Sequence, residues 1–186
     1  GSNVQKAILE KGIAEIPGYL FRGNETLHNV EIPDSVTSIG TAAFSGCSSL
    51  TGVKIPEAVT NIGNHAFEQC FSIENIMIPN AVKNIGDWAF ANMKLTELEL
   101  PDELVYLGQY FLYGTNGVTE IEIPKTLEEV GTSYSGAPFA GSNVQKAILE
   151  KGMTEIPGYL FRGNETLHSV EIPDSVTSIG TAAFSG

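Results

Sequence analysis

The sequence is poor in cysteine, with two in 186 residues, and it contains no long apolar run. Two cysteines cannot form the disulfide framework that holds many small secreted domains together, so that class of fold is excluded. No stretch approaches the roughly 18 consecutive apolar residues of a transmembrane helix, so we expect no membrane insertion. Because 42% of the residues are hydrophobic, we expect a fold with a packed core.

Basic residues are also scarce. Ten Lys and Arg stand against 22 Asp and Glu, which gives a net charge of −12 at pH 7. A protein that binds nucleic acid or an anionic membrane needs a basic face to neutralise phosphate groups. The charge therefore argues against both kinds of partner.

Signatures of catalysis and of metal binding are absent as well. The sequence has no G-x-S-x-G, H-E-x-x-H, P-loop or C-x-x-C motif. Of its three histidines, His28 and His168 are copies of each other in distant repeats, so they cannot form a cluster. We predict no catalytic residue, no metal ligand and no cofactor, and hence a protein that is not an enzyme.

What the sequence does contain is a repeat of about 23 residues. The aliphatic residues that open its units follow one another at intervals of 23, 23, 23, 22, 23, 26 and 23 residues: Leu9, Ile32, Ile55, Ile78, Leu100, Ile123, Leu149 and Ile172. The residues four and seven positions later are also aliphatic or Met in every unit. A unit this short cannot bury its own apolar face, so successive units must stack. We predict a single solenoid of about eight coils over residues 1–186.

Each unit closes with a segment of the form L-x-x-L-x-L, as at 27–32 and 118–123. The alternation predicts a strand with one buried face, and stacking would place these strands in a parallel sheet. Pro follows the strand directly in six of the eight units, and Pro ends a strand because it lacks the ladder N–H. A recurrent Gly, as at Gly40 and Gly63, marks a second bend where we expect a positive φ or a close backbone approach.

A large apolar residue, usually aromatic, stands twelve positions into the units. It is Phe21, Phe44, Phe67, Phe90, Leu112, Phe161 or Phe184. In the sixth unit this position is Ser135, and we expect an insertion near residues 133–138 to transfer the role to Phe139. The surrounding segment is too short for a regular helix, so we predict one helical or 3₁₀ turn.

The fuller pattern I-P-x-x-V-x-x-I-G-x-x-A-F-x-x-C-x-x-L-x-x-V resembles the BspA-like class of leucine-rich repeats, which occurs in bacterial and protist surface proteins. The resemblance covers nearly the whole chain. It implies an α/β, right-handed leucine-rich-repeat solenoid with the parallel β-sheet on its concave face and short helical or 3₁₀ turns and irregular segments elsewhere. The chain departs from the general pattern because it lacks the Asn that usually follows the strand; Ser35 and Ser175 are two of the residues found there instead.

Residues 1–46 recur as residues 141–186 with three differences, which are Ile13/Met153, Ala14/Thr154 and Asn29/Ser169. Exposed positions are copied together with core positions, which favours the recent duplication of a 140-residue cassette over a selected periodic site. We therefore expect a fragment of a longer array, whose uncapped ends could associate head to tail.

Two sets of residues are candidates for partner binding. On the strand face, the residues that flank the buried positions should point outward. They include a square of four carboxylates and two neighbouring side chains: Glu97, Glu99, Glu120, Glu122, Lys54 and Met77. The square could hold a hard cation such as Ca²⁺ or contact a basic partner, although no calcium-type loop accompanies it, and a solvated acidic face is the simpler interpretation.

The second set is an aromatic strip. His65, Trp88 and Tyr110 occupy the same position in three successive units. Aromatic residues with polar tips are enriched at interfaces, but these rings could equally cover the backbone at the bend. Cys47 and Cys70 also share one position in neighbouring units. Their spacing would permit a disulfide, yet both should point inward, so we interpret them as packing residues.

These observations predict a binding module without catalytic activity. The resemblance implies an extracellular or cell-surface location and an adhesive role toward a host protein or matrix component. The alternative is a structural spacer that holds another domain away from the cell. A face of mixed chemistry favours binding, whereas the copied cassette favours the spacer.

Overall fold

The repeat folds into a parallel β-solenoid of about seven turns. The computed structural model describes residues 4–133 and 136–186. Its strands, in chain order, are β1 (Lys6–Ile8), β2 (Glu15–Ile16), β3 (Asn29–Glu31), β4 (Ser38–Ile39), β5 (Asn61–Ile62), β6 (Asn84–Ile85), β7 (Tyr106–Leu107), β8 (Glu120–Ile123), β9 (Glu129–Val130), β10 (Lys146–Leu149), β11 (Glu155–Ile156), β12 (Ser169–Glu171) and β13 (Ser178–Ile179).

The strands form two columns along the solenoid. The first, which we call the L-x-x-L column, consists of the predicted closing strands. It contains one sheet of β1 and β3 and a second sheet of β8, β10 and β12, all parallel. The pairing follows the predicted repeat register, because Ile8 lies opposite Glu31 and Ile148 lies opposite both Glu122 and Glu171.

The L-x-x-L column is not continuous, contrary to our expectation. The equivalent segments 52–55, 75–78 and 97–100 form no strand. Within the described part of the chain, no residue of these three segments donates or accepts a backbone hydrogen bond. The closest contacts are marginal: the Thr51 N–H lies 3.4 Å from the His28 carbonyl oxygen, and the Thr96 N–H lies 3.4 Å from the Glu74 carbonyl oxygen. The middle of this face is therefore open between the coils.

The second column, which we call the V-x-x-I column, was not predicted as a sheet. It consists of two-residue strands at the third aliphatic position of each unit. We number the coils from first to eighth by these strands: β2, β4, β5, β6, β7, β9, β11 and β13. Strands β2, β4, β5, β6, β7 and β9 form one six-stranded parallel sheet, and β11 pairs with β13. Ile16, Ile39, Ile62 and Ile85 lie opposite one another in register and are fully buried. The aliphatic positions thus stack as predicted, and their backbone also hydrogen-bonds.

Together the two columns connect every neighbouring pair of coils among the described residues. The first two coils and the last two are joined through both columns. The central coils are joined through the V-x-x-I column, from β4 to β9. Backbone hydrogen bonds between their turn segments also join them, as from the Phe44 N–H to the Ala66 carbonyl oxygen at 2.9 Å. Of the two columns, the L-x-x-L column alone joins the sixth and seventh coils among the described residues, through β8 and β10.

The core runs along the inside of the solenoid. Ile55 and Ile78 are buried in it, and Ile32 is partly buried against it, so the opening positions of the repeat do form one interior column. Beside this column the Phe rings stack: Phe21, Phe44, Phe67 and Phe90 lie 5.3–5.5 Å apart between ring centroids. Stacked apolar rings at this spacing contribute both buried area and favourable ring contacts.

The stack changes at the insertion. Ser135 lies outside the described residues, but Phe139 is buried and stacks on Phe161 with 5.1 Å between centroids, as predicted for the substitute ring. Phe139 meets Phe111 edge to face at 5.3 Å. Leu112 is buried at the predicted position. The ring that the fifth coil adds to the stack is Phe111, one residue earlier than the pattern suggested.

The predicted helical turns are wrong. The described residues contain no helix of any kind, so the α/β label does not apply. The segments around the Phe positions are successive turns, because residues such as Tyr19, His65, Trp88 and Tyr110 have positive φ values of 54° to 64°. A left-handed residue at this point in every regular coil prevents a second right-handed turn from forming. No helix long or apolar enough to cross a membrane is present in the described ranges.

Pro and Gly set the bends as predicted. For the recurrent Gly, the structure decides between a positive φ and a close backbone approach. The Pro after the strand begins a turn, which is closed by the Val36 N–H donating to the Pro33 carbonyl oxygen at 3.1 Å. At the second bend Gly63 lacks a left-handed φ. Instead, a Cβ on Gly63 would lie 2.7 Å from the Thr41 backbone nitrogen, so this Gly allows close approach of the coils.

In two coils a Ser hydroxyl takes the place of the missing Asn. The Ser35 hydroxyl donates to the Ile13 carbonyl oxygen at 2.8 Å and accepts from the Gly12 N–H at 3.1 Å. Ser175 makes the same two bonds in the duplicated cassette. Each hydroxyl therefore ties one coil to the previous one.

Candidate functional site

The open part of the L-x-x-L column contains a groove. A cavity of about 570 Å³ lies between the strand segments of the third, fourth and fifth coils. We call it the central groove and define it by its lining residues: Gly52, Val53, Asn75, Ile76, Met77, Ile78, Asn80, Glu97, Leu98, Glu99, Leu100 and Asp102. The groove lies where these coils lack ladder hydrogen bonds, so backbone polar groups and side chains line it together.

The groove has an apolar and an acidic part. Met77 is 78% exposed, the most exposed of the large apolar side chains in the described chain. Ile76 and Leu98 are buried beneath it. On the other side Glu97 and Glu99 are exposed. Neither forms an ion pair within the described part of the chain, so their charges are not neutralised by the protein.

The acidic part continues into a second cavity of about 390 Å³. It shares Glu97, Glu99 and Asp102 with the central groove and adds Glu120 and Glu122. The structure thus brings the four carboxylates of the predicted square to one surface. The Asn80 side-chain amide donates to Asp102 at 3.0 Å, which fixes this carboxylate at the border of the two cavities.

The square does not have the arrangement of a metal site. No group of three or more His, Cys, Asp or Glu side chains in the described ranges is placed to hold a metal ion. One carboxylate of the square is already paired: Glu120 lies 3.4 Å from the Lys146 ammonium group, which also contacts Glu171 at 2.8 Å. The hydrogen bond that Lys146 donates to Glu171 is the main reason why the pKa of Lys146 is raised. The square therefore presents separate, exposed charges to solvent.

Lys54 lies at the basic end of this face. It is exposed and occupies the same repeat position as Met77, Glu99 and Glu122 in the next three coils. It does not line the central groove. The sign of the charge therefore changes across Met77, from Lys54 on one side to the carboxylates on the other.

The aromatic strip is continuous. The His65 and Trp88 rings are nearly parallel with 6.2 Å between centroids, and Trp88 lies 4.6 Å from Tyr110. Tyr113 joins the cluster at 5.0 Å from Trp88 and is 40% exposed. The left-handed φ of His65, Trp88 and Tyr110 directs these rings to one side of the turn. The rings pack on one another, and Tyr113 keeps an exposed edge; the role of the strip as an interface stays a prediction.

Two features of these surfaces were missed from the sequence. Tyr113 lies three residues after Tyr110 on the same turn, and a search of successive turn positions in addition to successive coils would have found it. The open ladder has no such signal, because segments 52–55, 75–78 and 97–100 keep the same apolar alternation as the paired strands.

Cys47 and Cys70 are free and buried. Their thiols donate to the Phe21 and Phe44 carbonyl oxygens at 3.1 and 3.2 Å. Burial raises the pKa of the Cys47 thiol to about 11 and also raises the pKa of Cys70. These are inert packing residues.

Comparison with known proteins agrees with the repeat architecture. The family model described as "BspA type Leucine rich repeat region" matches residues 14–135 and 132–186, in six copies. No curated protein matches the sequence. The leucine-rich repeat protein TpLRR of T. pallidum shares 24% identity over 96% of this chain and 74% of its own, with a TM-score of 0.58.

Two further solved structures show the same fold. A leucine-rich repeat protein from Eubacterium ventriosum has 22% identity and a TM-score of 0.62, and the match covers 97% of this chain and 57% of that protein. The pneumococcal vaccine antigen PcpA has 20% identity and a TM-score of 0.59, covering 92% of this chain and 51% of the antigen. The chain thus spans little more than half the length of these two proteins.

Proposed function

The chain belongs to the BspA-type leucine-rich repeat family, and from this premise we propose that it is a non-enzymatic protein-binding module of a cell-surface or secreted protein. Its partner is a host protein or a matrix component. Contact is made through the open L-x-x-L face, with the aromatic strip as a second surface.

The central groove is the observation that carries this proposal. A concave surface that combines apolar groups with a few convergent polar groups is the usual setting of a binding site. Met77 is 78% exposed at this groove, beside Glu97 and Glu99. An apolar centre with a polar rim is the usual composition of an interface.

The location outside the cell is supported by the resemblance to BspA-like surface proteins and by one structural relative, PcpA, which is a pneumococcal vaccine antigen. The composition is consistent with this location, because an acidic, repeat-built chain with two buried thiols does not depend on a reducing compartment.

A structural spacer is the second candidate. It is favoured by the duplication, since residues 141–186 copy the exposed as well as the buried positions of residues 1–46. A spacer needs only a regular rod, and copying a whole cassette lengthens the rod without a new interface.

A binding panel separates the two candidates. Purified chain is tested against immobilised extracellular matrix proteins and cell-surface ectodomains by surface plasmon resonance. We expect saturable binding to at least one of them and a loss of roughly tenfold in Met77→Gln, which removes an apolar contact from the face. Leu20→Gln is the matched control, because Leu20 is also exposed, at 45%, but lies in a turn segment. Folded chain that binds nothing on the panel would contradict the proposal and favour the spacer.

A further inference from the structure

We propose that the central groove is a receptor for an arginine side chain on an extended, basic segment of the partner. This inference rests on the proposed protein-binding function and specifies the chemistry of its ligand.

The apolar part of the groove fits the aliphatic portion of such a side chain. Ile76 and Leu98 are buried beneath the groove, and Met77 is exposed beside them. Gly52 leaves one wall without a side chain, since a Cβ placed there would have no atom within 4 Å. An arginine carries three methylene groups that pack well on apolar surface while the guanidinium group stays in contact with polar atoms.

The polar part of the groove fits the guanidinium group. Glu97 and Glu99 are carboxylates without a cationic partner among the described residues. The carbonyl oxygens of segments 52–55, 75–78 and 97–100 accept no backbone hydrogen bond within the described ranges, because the ladder is open here. Guanidinium has five N–H donors in a planar fork and no acceptor, so it can satisfy carboxylate and carbonyl oxygens at once.

The surrounding charge selects a basic segment over other occupants. The second cavity extends the acidic surface to Glu120 and Glu122, and the whole chain carries a net charge of −12. This field attracts a cationic peptide and repels phosphate groups or acidic segments. A metal ion is disfavoured because no group of three ligating side chains in the described chain is suitably placed.

Methionine methyl groups report occupancy of the groove directly. The chain has three Met; Met93 and Met153 are buried, whereas Met77 is exposed at the groove. Protein labelled with ¹³C at the Met methyl groups is titrated with the acetylated and amidated peptide Gly-Ser-Arg-Val-Arg-Ser-Gly and followed by NMR. We expect the Met77 signal, assigned with Met77→Ala, to shift saturably while the Met93 and Met153 signals stay in place.

The role of charge is tested on both molecules. The same peptide with citrulline in place of arginine keeps the shape but loses the charge, and we expect it to bind at least tenfold more weakly. The double variant Glu97→Gln/Glu99→Gln should bind the arginine peptide about tenfold more weakly, and added salt should weaken binding to the parent chain. The control is Glu57→Gln/Glu128→Gln, an equal charge change at exposed residues outside the groove.

Three results would overturn the inference: a Met77 signal that does not move, equal binding of the citrulline peptide, or equal effects of the two double variants. Their meaning is separate from that of the binding panel. A chain that binds a matrix protein but ignores the arginine peptide keeps its protein-binding function and loses only this assignment. A chain that binds nothing on the panel loses the proposed function, whatever the peptide does.

Discussion

Gly63→Ala adds a single methyl group where neighbouring coils are closest. The new Cβ would lie 2.7 Å from the Thr41 backbone nitrogen and 2.8 Å from the Gly40 carbonyl carbon. Real Cβ atoms do not approach backbone atoms this closely. The backbone here is held by hydrogen bonds to the first coil, from the Gly40 N–H to Ile16 and from the Tyr19 N–H to Thr41, so it cannot turn aside as a flexible side chain can. The substitution must therefore push the second and third coils apart.

The size of the effect follows from two opposing contributions. Overpacking of a closely packed site costs about 1–3 kcal/mol. Replacing Gly by Ala also restricts the unfolded chain, which stabilises the folded state by about 0.4–1 kcal/mol. We therefore expect a net loss of about 1–2 kcal/mol. For a chain of this length each kcal/mol corresponds to about 2–4 °C, so the melting temperature should fall by roughly 2–8 °C.

Gly52→Ala provides the matched control. Neither Gly52 nor Gly63 has a left-handed φ, but a Cβ on Gly52 would meet no atom within 4 Å. Only the unfolded-state contribution then applies, so this variant should be unchanged or up to about 1 kcal/mol more stable. Both variants are compared with the parent chain by circular dichroism during heating and in urea. Equal melting curves for the two variants would refute the reasoning that Gly63 sets the coil spacing.

Two further predictions concern the core. Ile62→Ala removes a fully buried side chain of the V-x-x-I column and should lower the free energy of unfolding, measured in urea, by about 2–5 kcal/mol. The control Ile8→Ala, at a side chain that is 66% exposed, should change it by no more than about 0.5 kcal/mol. The Cys47 and Cys70 thiols should resist iodoacetamide at pH 8 in the folded chain and both react in urea, and early labelling of native protein would show that they are not buried. Burial raises the pKa of Cys47 to about 11, whereas thiols in the unfolded chain lose their protons from about pH 8.5. Deprotonation therefore favours the unfolded state first, and the contribution of these thiols to stability should fall as the pH rises from about 8.5 to about 11. The double variant Cys47→Ala/Cys70→Ala should therefore lose less stability than the parent chain over this pH range.

The interior of the solenoid could be predicted because each coil repeats the same packing problem. The positions represented by Ile55 and Ile62 are buried in the third, fourth and fifth coils, and the register of Ile39, Ile62 and Ile85 is the one that the sequence spacing requires. The irregular sixth coil was interpretable too, because Phe139 continues the stack of Phe rings as predicted. Apolar periodicity is sufficient where only burial decides the structure.

The backbone pattern could not be predicted in the same way. Segments 75–78 and β10 have similar apolar alternation, yet only β10 forms ladder bonds. Side-chain periodicity reports which face is buried and carries no information on the distance between adjacent coils. The prediction of helical turns was wrong for a related reason. Residues such as Trp88 and Tyr110 adopt a left-handed φ that bulky side chains rarely take. The stacking of coils on either side stabilises this conformation. The groove depends on the open ladder, so its acidic residues were found from the sequence but its shape was not.

The alternation between the two columns determines how the rod can bend. Hydrogen bonds along one edge keep that edge at constant length, while the unbonded edge can lengthen or shorten. The central coils, bonded from β4 to β9 and along their turn segments, can therefore open or close on the L-x-x-L side. The backbone ladder between the sixth and seventh coils runs through β8 and β10 instead, so this junction can open on the V-x-x-I side. Opening or closing of the central coils would widen or narrow the groove around Met77. Ligand binding in the groove and the curvature of the array are therefore mechanically coupled.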